Sequence, residues 1–321
     1  MSLAGRETSP ENGAMDSSAG NPLPYSGEED TLAESILNNS VPGGLFELRE
    51  LDVLYDDQSA ALWTFMRPEG RPSFTPTMLK DFERWQDLIS DGFGEEKVPL
   101  RYLILGSRSQ DVFCFGGDLE LFQHLIRTRD RAGLVKYGHR CCAILERNVR
   151  SLDLPMLTIG LVQGAALGGG FEALLSFDYI IAERHATFGL PEIMFGLYPG
   201  MGAHVFLARK LGTAMAERII LSNKTYTAQE LYDLGLVHQI AEPGEGVSAV
   251  REFISKSERR HSGLAGAHQA TKMVWPVKLD ELNAITELWA DTALKLSEQD
   301  LKVMSRLVAA QARLADRLAA A

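Results

Sequence analysis

From Leu161 to Ala182 the chain reads LVQGAALGGGFEALLSFDYIIA, an apolar run that holds three consecutive glycines, Gly168, Gly169 and Gly170, and then Glu172. Glycine is the costliest residue to order, and glutamate is among the residues least often buried. Two local preferences broken together mark a functional site. If residues 168–177 are helical, the neighbours three and four positions from Glu172 are Gly168, Gly169, Leu175 and Ser176, none of them a cation. Two readings stay open for the carboxyl. It is an acid at a helix start that reaches solvent and is favoured by the macrodipole, or a desolvated group with a raised pKa suited to proton transfer. The glycines ahead of it leave backbone N–H groups unscreened by side chains. A phosphate loop would need Lys-Ser/Thr next, and a dinucleotide fingerprint needs another glycine order. An oxyanion hole beside a glutamate is what remains.

The rest of the sequence bounds the class. A chain of 321 residues, 45% hydrophobic and 23% charged, has the composition of a globular protein. A net charge of −11 argues against a nucleic-acid binder, which needs a basic footprint. Cys114, Cys141 and Cys142 form neither an even disulfide framework nor a metal-ligand spacing, and the seven histidines are scattered. No metal or redox cofactor is implied. The window from Pro155 to Ala182 is interrupted by Gln163, Glu172 and Asp178, against a membrane span. Within the first 44 residues Arg6 is the lone basic residue and no Lys occurs, unlike a secretory n-region or a transit peptide. A cytoplasmic location is the expectation.

Residues 1–43 are rich in Ser, Gly, Pro, Asn and Glu and read as a disordered tail. "LFELREL" and "SAALWTFM" suggest two strands around an Asp56-Asp57 turn, and "FTPTMLKDFERWQDLISDG" has helical spacing that stops at Gly92. "RYLILGS", "PMLTIGLVQG" and "FDYIIAE" read as buried strands, and "GGGFEALLS" as a helix. Strands alternating with helices predict an α/β fold over 44–245. Thr227-Ala-Gln-Glu forms a capping box, and amphipathic helices fill a C-terminal region over 246–321.

Two further motifs carry candidate chemistry. In "ATFGLPEIMFGLYPGMGAH", Pro191 suits a first helical turn and puts Glu192 at a helix start. In "DVFCFGGDLELF", Phe115-Gly116-Gly117 turns into an amphipathic helix for which Asp118 is the expected N-cap. Backbone N–H groups of that turn are candidates for a second oxyanion donor.

Taken together and in this order, "FGGDL", "LVQGAALGGGFEALLSFDYIIA", "ATFGLPEIMFGLYPGMGA" and "YTAQELYDLGLVHQIAEPG" resemble the crotonase (enoyl-CoA hydratase) superfamily over residues 45–245. The resemblance implies a spiral of ββα units, a helical C-terminal region that builds trimers, and a backbone oxyanion hole for an acyl thioester. It places the oxyanion donors at Phe115 and Gly169, with Gly116 beside them, and the acid/base pair at Glu172 and Glu192. Where hydratases carry Gly-Gly-Thr-Gln-Arg after their Pro-Gly, this chain has Met201-Gly202-Ala203-His204-Val205. That departure, with "VQGAALGGGFEA" and "ITELWADTALKL", is similar to the diffusible signal factor synthases, bacterial members of the superfamily that make cis-2-unsaturated fatty acids for quorum sensing. By this resemblance Leu167, Gly168, Met201 and Trp289 bind the acyl group.

The reaction so implied is dehydration of a medium-chain 3-hydroxyacyl group on acyl carrier protein or CoA, followed by thioester hydrolysis. An ordinary enoyl-CoA hydratase and a regulatory binding protein of the same fold are the alternatives, and a regulatory protein partner is a further expectation. An acidic enzyme that meets an acidic carrier needs a local basic patch. Its sequence candidates are Arg127, Arg129 and Arg131, and Lys256, Arg259 and Arg260, or else these are solvated faces paired with nearby acids.

Overall fold

In the computed structural model of the protein, residues 41–319 are described. Residues 1–40 of the expected tail lie outside them. Gly43–Glu47 forms a 3-10 helix, and Pro42 packs so closely on Gly92 that a side chain there would overlap its ring. The fold therefore takes in Val41–Gly43, which the sequence reading assigned to the tail. Strand formation begins later than "LFELREL" suggests, with β1 at Leu51–Asp56 and β2 at Ala61–Met66. Glu50 explains the delay. It is buried, its N–H donates to Asp81 (2.7 Å), and its carboxylate accepts from Thr75 Oγ1 (2.9 Å) and the Glu69 N–H (3.2 Å). The Asp81 bond draws the Glu50 N–H out of the ladder, while the Glu50 carbonyl still accepts the Arg67 N–H (2.8 Å).

The chain then winds as a spiral. Helix α1 (Pro76–Gly92), capped by Thr75, leads to β3 (Tyr102–Ser107) and β4 (Val112–Cys114). Helices α2 (Leu119–Arg127) and α3 (Arg131–Val149) lead to β5 (Leu157–Val162) and β6 (Ala165–Leu167). The short α4 (Gly169–Leu174) leads to β7 (Tyr179–Glu183) and β8 (Thr187–Gly189). A 3-10 helix at Pro191–Phe195 follows, then α5 (Ala203–Leu211), α6 (Thr213–Leu221), β9 (Thr225–Thr227), α7 (Ala228–Asp233) and β10 (Gln239–Ala241). Each turn adds one strand to a large sheet, ordered β1-β2-β3-β5-β7-β10, and one to a small sheet, ordered β4-β6-β8-β9. The α/β architecture of repeated ββα units is thus the fold.

Among the described residues, only β1 with β2 and β8 with β9 pair antiparallel. The central strands are parallel, and one row across them runs Trp63, Ile104, Ile159, Tyr179. Parallel strands covered on both faces read as unbroken apolar runs, which is why they were readable in the sequence. One face of the large sheet packs on α8 (Gly246–Ser257) and α9 (His261–Val274) through Val250, Ile254 and Ala265. The other face packs on α1, α3 and the small sheet through Trp85, Phe113, Phe171 and Phe188. Helix α10 (Leu279–Ala293) lies along α3, while α11 (Glu298–Ala319) crosses α2 and the Pro191–Phe195 segment. Among the described residues no helix is long and apolar enough to cross a membrane.

Close backbone approaches set the geometry of the small sheet. A Cβ on Gly164 would overlap the Asp111 carbonyl and the Val112 nitrogen, where β4 and β6 start side by side. Gly164→Ala should therefore cost about 3 kcal/mol or more, at the upper end for single substitutions. Urea denaturation checks this, and an unchanged midpoint would show that the two strands separate freely.

Candidate active site

Two glycine-rich turns meet where β4 and β6 end. The turn at Phe115–Gly117 is held from three sides. The Phe115 N–H donates to the Pro72 carbonyl (2.7 Å), the Phe74 N–H to the Gly116 carbonyl (2.8 Å), and the Gly116 N–H to Cys114 Sγ (3.3 Å). Tyr137 Oη, buried under the turn, donates to the Phe74 carbonyl (2.6 Å) and accepts the Asp118 N–H (3.2 Å). The expected donor at Phe115 is thus already committed, and Gly116 faces only the sulfur. This corrects the sequence reading of both residues.

The free donors are one residue further on and across the gap. Among the described residues, neither Gly117 N–H nor Gly169 N–H, the first of α4, has a protein acceptor. They belong to backbones in contact: a Cβ on Gly169 would lie 3.4 Å from the Gly117 nitrogen, and one on Gly116 2.6 Å from the Gly169 nitrogen. Gly116 has φ 90°, and Gly168 has φ 52° with ψ −128°, a region open essentially to glycine alone. The run of three glycines therefore has a geometric cause. A Cβ on Gly168 would meet Glu192 Oε1 (2.8 Å), one on Gly169 the Met201 sulfur (2.7 Å) and one on Gly170 the Cys114 carbonyl (2.4 Å).

Glu172 is 1% exposed and does not reach solvent. Its Oε2 accepts the N–H groups of Met201 (2.7 Å) and Ala203 (3.1 Å). Helix α5 starts at Ala203 and has Gly202 as N-cap, with no side chain to cap it. Glu172 supplies that cap from another turn of the spiral, placing its charge at the positive end of the helix. Burial still dominates and raises its pKa to about 7, against the lowering effect of the Ala203, Met201 and Gly202 N–H groups.

Glu192 sits in the Pro191–Phe195 3-10 helix rather than an α-helix, closed by Gly196 in the left-handed conformation. Its Oε2 is sealed from solvent with no hydrogen-bond partner among the described residues. Its Oε1 occupies space that a Cβ on Gly168 would enter, at 2.8 Å. Burial first, and repulsion from Glu172 second, raise its pKa to about 8. Glu172, by contrast, has two N–H groups that favour its charged form.

Both glutamates line one pocket with Gly117, Gly168, Gly169, Met201 and Trp289. It holds about 600 Å³ free of atoms, part of it continuous with solvent. Met201 presses on Gly169, where a Cβ would lie 2.7 Å from its Sδ. The Trp289 ring stands over Gly200 and meets Phe122 edge-on at 5.1 Å. Leu167 is not in the wall: its side chain packs beside Gly189 on the neighbouring strand. The sequence reading missed the Phe122 and Tyr137 walls, and Leu307 and Gln311 from α11. Gln311 was the findable one, since it interrupts the apolar stripe Leu301, Met304, Leu307 and is nevertheless buried. Several members of the basic clusters face acids: Arg127 pairs with Glu298 (3.8 Å), Arg131 with Asp291 (2.6 Å) and Lys256 with Glu252 (2.5 Å). Among the described residues no group of three or more His, Cys, Asp or Glu is arranged to hold a metal.

An acyl thioester suits this arrangement: two N–H groups for its carbonyl oxygen, two carboxyls for its carbons, and apolar walls for its chain. Residues 56–293 match the sequence model of the enoyl-CoA hydratase/isomerase family, and the chain belongs to that family. The short-chain-enoyl-CoA hydratase of Clostridium acetobutylicum is 28% identical over 204 residues, which are 64% of this chain and 74% of the relative. Among solved structures, an enoyl-CoA hydratase from Bacillus halodurans superposes with a TM-score of 0.66 at 23% identity, covering 80% of this chain and 100% of that one. Pseudomonas aeruginosa DspI gives 0.62 at 22% identity, over 73% of this chain and 90% of that one. These two likenesses are likenesses of fold.

The raised pKa values have a measurable cost. Between the ordinary glutamate value near 4.3 and the folded values, the unfolded chain releases protons that the folded chain keeps, so stability falls as pH rises through that window. Glu192→Gln removes one of these groups. Its Tm should exceed the parent's by several degrees at pH 8.5, with the gap closing below pH 5, because each pKa unit is worth about 1.4 kcal/mol. A gap independent of pH, followed by calorimetry, would mean that Glu192 titrates normally.

Proposed function

We propose that the protein makes a cis-2-unsaturated fatty acid signal by dehydrating a medium-chain 3-hydroxyacyl thioester and then hydrolysing it to the free acid. One observation carries the dehydration: two buried carboxyls share a mostly apolar pocket in front of a pair of acceptor-free N–H groups. Gly117 and Gly169 hold the thioester oxygen and stabilise the enolate that forms when the α-proton leaves. The reactive arrangement has the pair's one proton on Glu172, the less populated form, since the Met201 and Ala203 N–H groups make Glu172 the stronger acid. Glu192, then ionised, takes the α-proton, Glu172 gives its own to the 3-hydroxyl, the C3–O bond breaks, and water departs. Each dehydration leaves the pair with one proton, shared between groups whose pKa values are close enough for either to hold it.

Hydrolysis uses the same hole. A water molecule adds to the thioester carbon, the C–S bond breaks, and the carrier thiol leaves with a proton. Glu192 is the base for this step, because without the Met201 and Ala203 N–H groups that hold Glu172 its carboxylate is the stronger base of the pair. Carrier protein or CoA brings the substrate, and by family resemblance the molecule works as a homotrimer in the cytoplasm. A regulatory protein partner of the enzyme stays part of this reading.

The same pair of glutamates also serves an enoyl-CoA hydratase, and the Clostridium relative favours that second reading. Glu172→Gln and Glu192→Gln should each lower kcat by about 10²–10⁴-fold under either reading, with the circular dichroism spectrum unchanged. A folded variant that keeps more than half of the parent rate would remove that glutamate from the mechanism.

The fate of the thioester separates the two readings. Incubated with 3-hydroxydodecanoyl carrier protein, the enzyme should yield free cis-2-dodecenoic acid and unacylated carrier. Mass spectrometry of the quenched mixture decides it. Enoyl thioester that remains attached after many turnovers makes the protein a hydratase.

A further inference from the structure

Two buried polar side chains beside the site take no part in the steps above. Thr286 of α10 is 1% exposed, and its Oγ1 donates to the Gly200 carbonyl (2.7 Å). Cys142 of α3 is a free, buried thiol whose Sγ lies 3.1 Å from the same hydroxyl. A hydroxyl has one proton to give. Here the carbonyl takes it, so the contact with sulfur runs from the Cys142 S–H to the Thr286 oxygen. Burial pushes the Cys142 thiol up to about 12, which keeps that proton in place. Close packing fixes the arrangement. Gly138 brings α3 so near that a Cβ there would lie 2.2 Å from Thr286 Cγ2, and the Trp289 ring covers Gly200 from the next turn of α10.

The Gly200 carbonyl belongs to the same peptide unit as the Met201 N–H, which donates to Glu172 Oε2 at 2.7 Å. A peptide group is conjugated, so a donor at its oxygen draws electrons from its nitrogen and makes its N–H a stronger donor. The bonds form one chain, from the Cys142 thiol through the Thr286 hydroxyl and the Gly200–Met201 peptide to the carboxylate. Every donor in it points toward the charge. The second donor to Oε2, the Ala203 N–H, is backed by a helix bond from the Phe206 N–H to the Gly202 carbonyl (2.9 Å), which no side chain controls. We propose that Thr286 is a positioning residue for Glu172: through the Gly200–Met201 peptide its hydroxyl sets how strongly that carboxyl holds its proton, with Cys142 as the remote end of the relay. Its consequence for catalysis rests on the reading of Glu172 as the acid of the dehydration. The titratable groups around Glu172 are Glu192 from the 3-10 helix, and Tyr137, Cys141 and Cys142 from α3, the last three kept protonated by burial. His204 of α5 turns its ring to Tyr198, and burial lowers its pKa. Among the described residues Glu172 pairs with no Lys, Arg or His. Thr286 is itself neutral, so a change there acts on Glu172 through hydrogen bonds and not through charge.

Carbon-13 NMR of the glutamate carboxyls tests it, with full-length Glu192→Gln protein as the parent so that one acid of the pair titrates. Adding Glu172→Gln to that parent assigns the resonance. Thr286→Val keeps the shape and removes the hydroxyl, withdrawing support from the charged form. The Glu172 midpoint should then rise by about 0.5, a gain of roughly threefold in proton affinity. Thr286→Ser restores the hydroxyl and should return the midpoint to the parent's. An unchanged midpoint in folded Thr286→Val, or a rise that Thr286→Ser shares, would make Thr286 a packing residue and overturn the proposal. Should Thr286→Val not fold, the far end of the chain carries the test. Cys142→Ala removes a donor and should raise the midpoint, whereas Cys142→Ser supplies a stronger donor and should lower it. Equal midpoints in those two variants would also overturn the relay. The titration is read on the free enzyme and holds whatever the reaction is. A Glu172→Gln enzyme that turns over at the wild-type rate would instead overturn the reading of Glu172 as the acid.

Discussion

The bond between the Glu172 carboxylate and the uncapped start of α5 ties the site together. It closes the Pro199–Ala203 turn over α4, sets Met201 against Gly169, and keeps a buried charge within reach of two N–H donors. A carboxylate in an apolar interior would otherwise take up a proton and stay neutral. Held this way, it sits near the balance point, with burial pushing its pKa to about 7 and the N–H groups pulling down. Glu192, one spiral turn away, is supported by its own N–H alone and feels the charge of its neighbour. The difference between the two acids arises from their supports, since their side chains are identical.

Much of the scaffold was legible in the sequence because its causes are local. The buried parallel strands carry their own apolar runs, Thr227 and Glu230 form their capping box, and Asp118 caps α2 as its position suggests. Glu172 and Glu192 could be singled out because each breaks a local pattern. What stayed hidden depends on contacts between distant segments. No feature of "FGGD" says that the Phe115 N–H will meet Pro72, and so the donor was placed two residues too early. Likewise Leu167 sits in a motif that lines a pocket by resemblance, yet strand pairing sends its side chain toward Gly189. The helix over Arg131–Val149 was missed since its first turns mix Arg, Gly, Lys and Tyr without a clean stripe.

The hole between the two acceptor-free N–H groups is a product of backbone contact more than of side-chain chemistry. Gly116, Gly117 and Gly169 contribute only their peptide groups, and the Tyr137 hydroxyl below keeps one of the two turns in register. Such a hole pays its ordering entropy once, at folding, and costs no reorganisation during a turnover. The neighbouring glycines, each intolerant of a methyl group, are the visible trace of that arrangement.

Met201 illustrates a restriction on how such an enzyme can diversify. Its amide donates to a buried carboxyl, its sulfur presses on Gly169, and its side chain lines the pocket. Any replacement there is pleiotropic, disturbing acid strength, carbonyl binding and space at the same moment. Drift toward new products would more easily proceed at Leu307 and Gln311, which reach the pocket wall from α11 and bond to neither glutamate. Descendants of this chain would then share the end of the pocket that holds the two carboxyls and differ in the wall that α11 lends it.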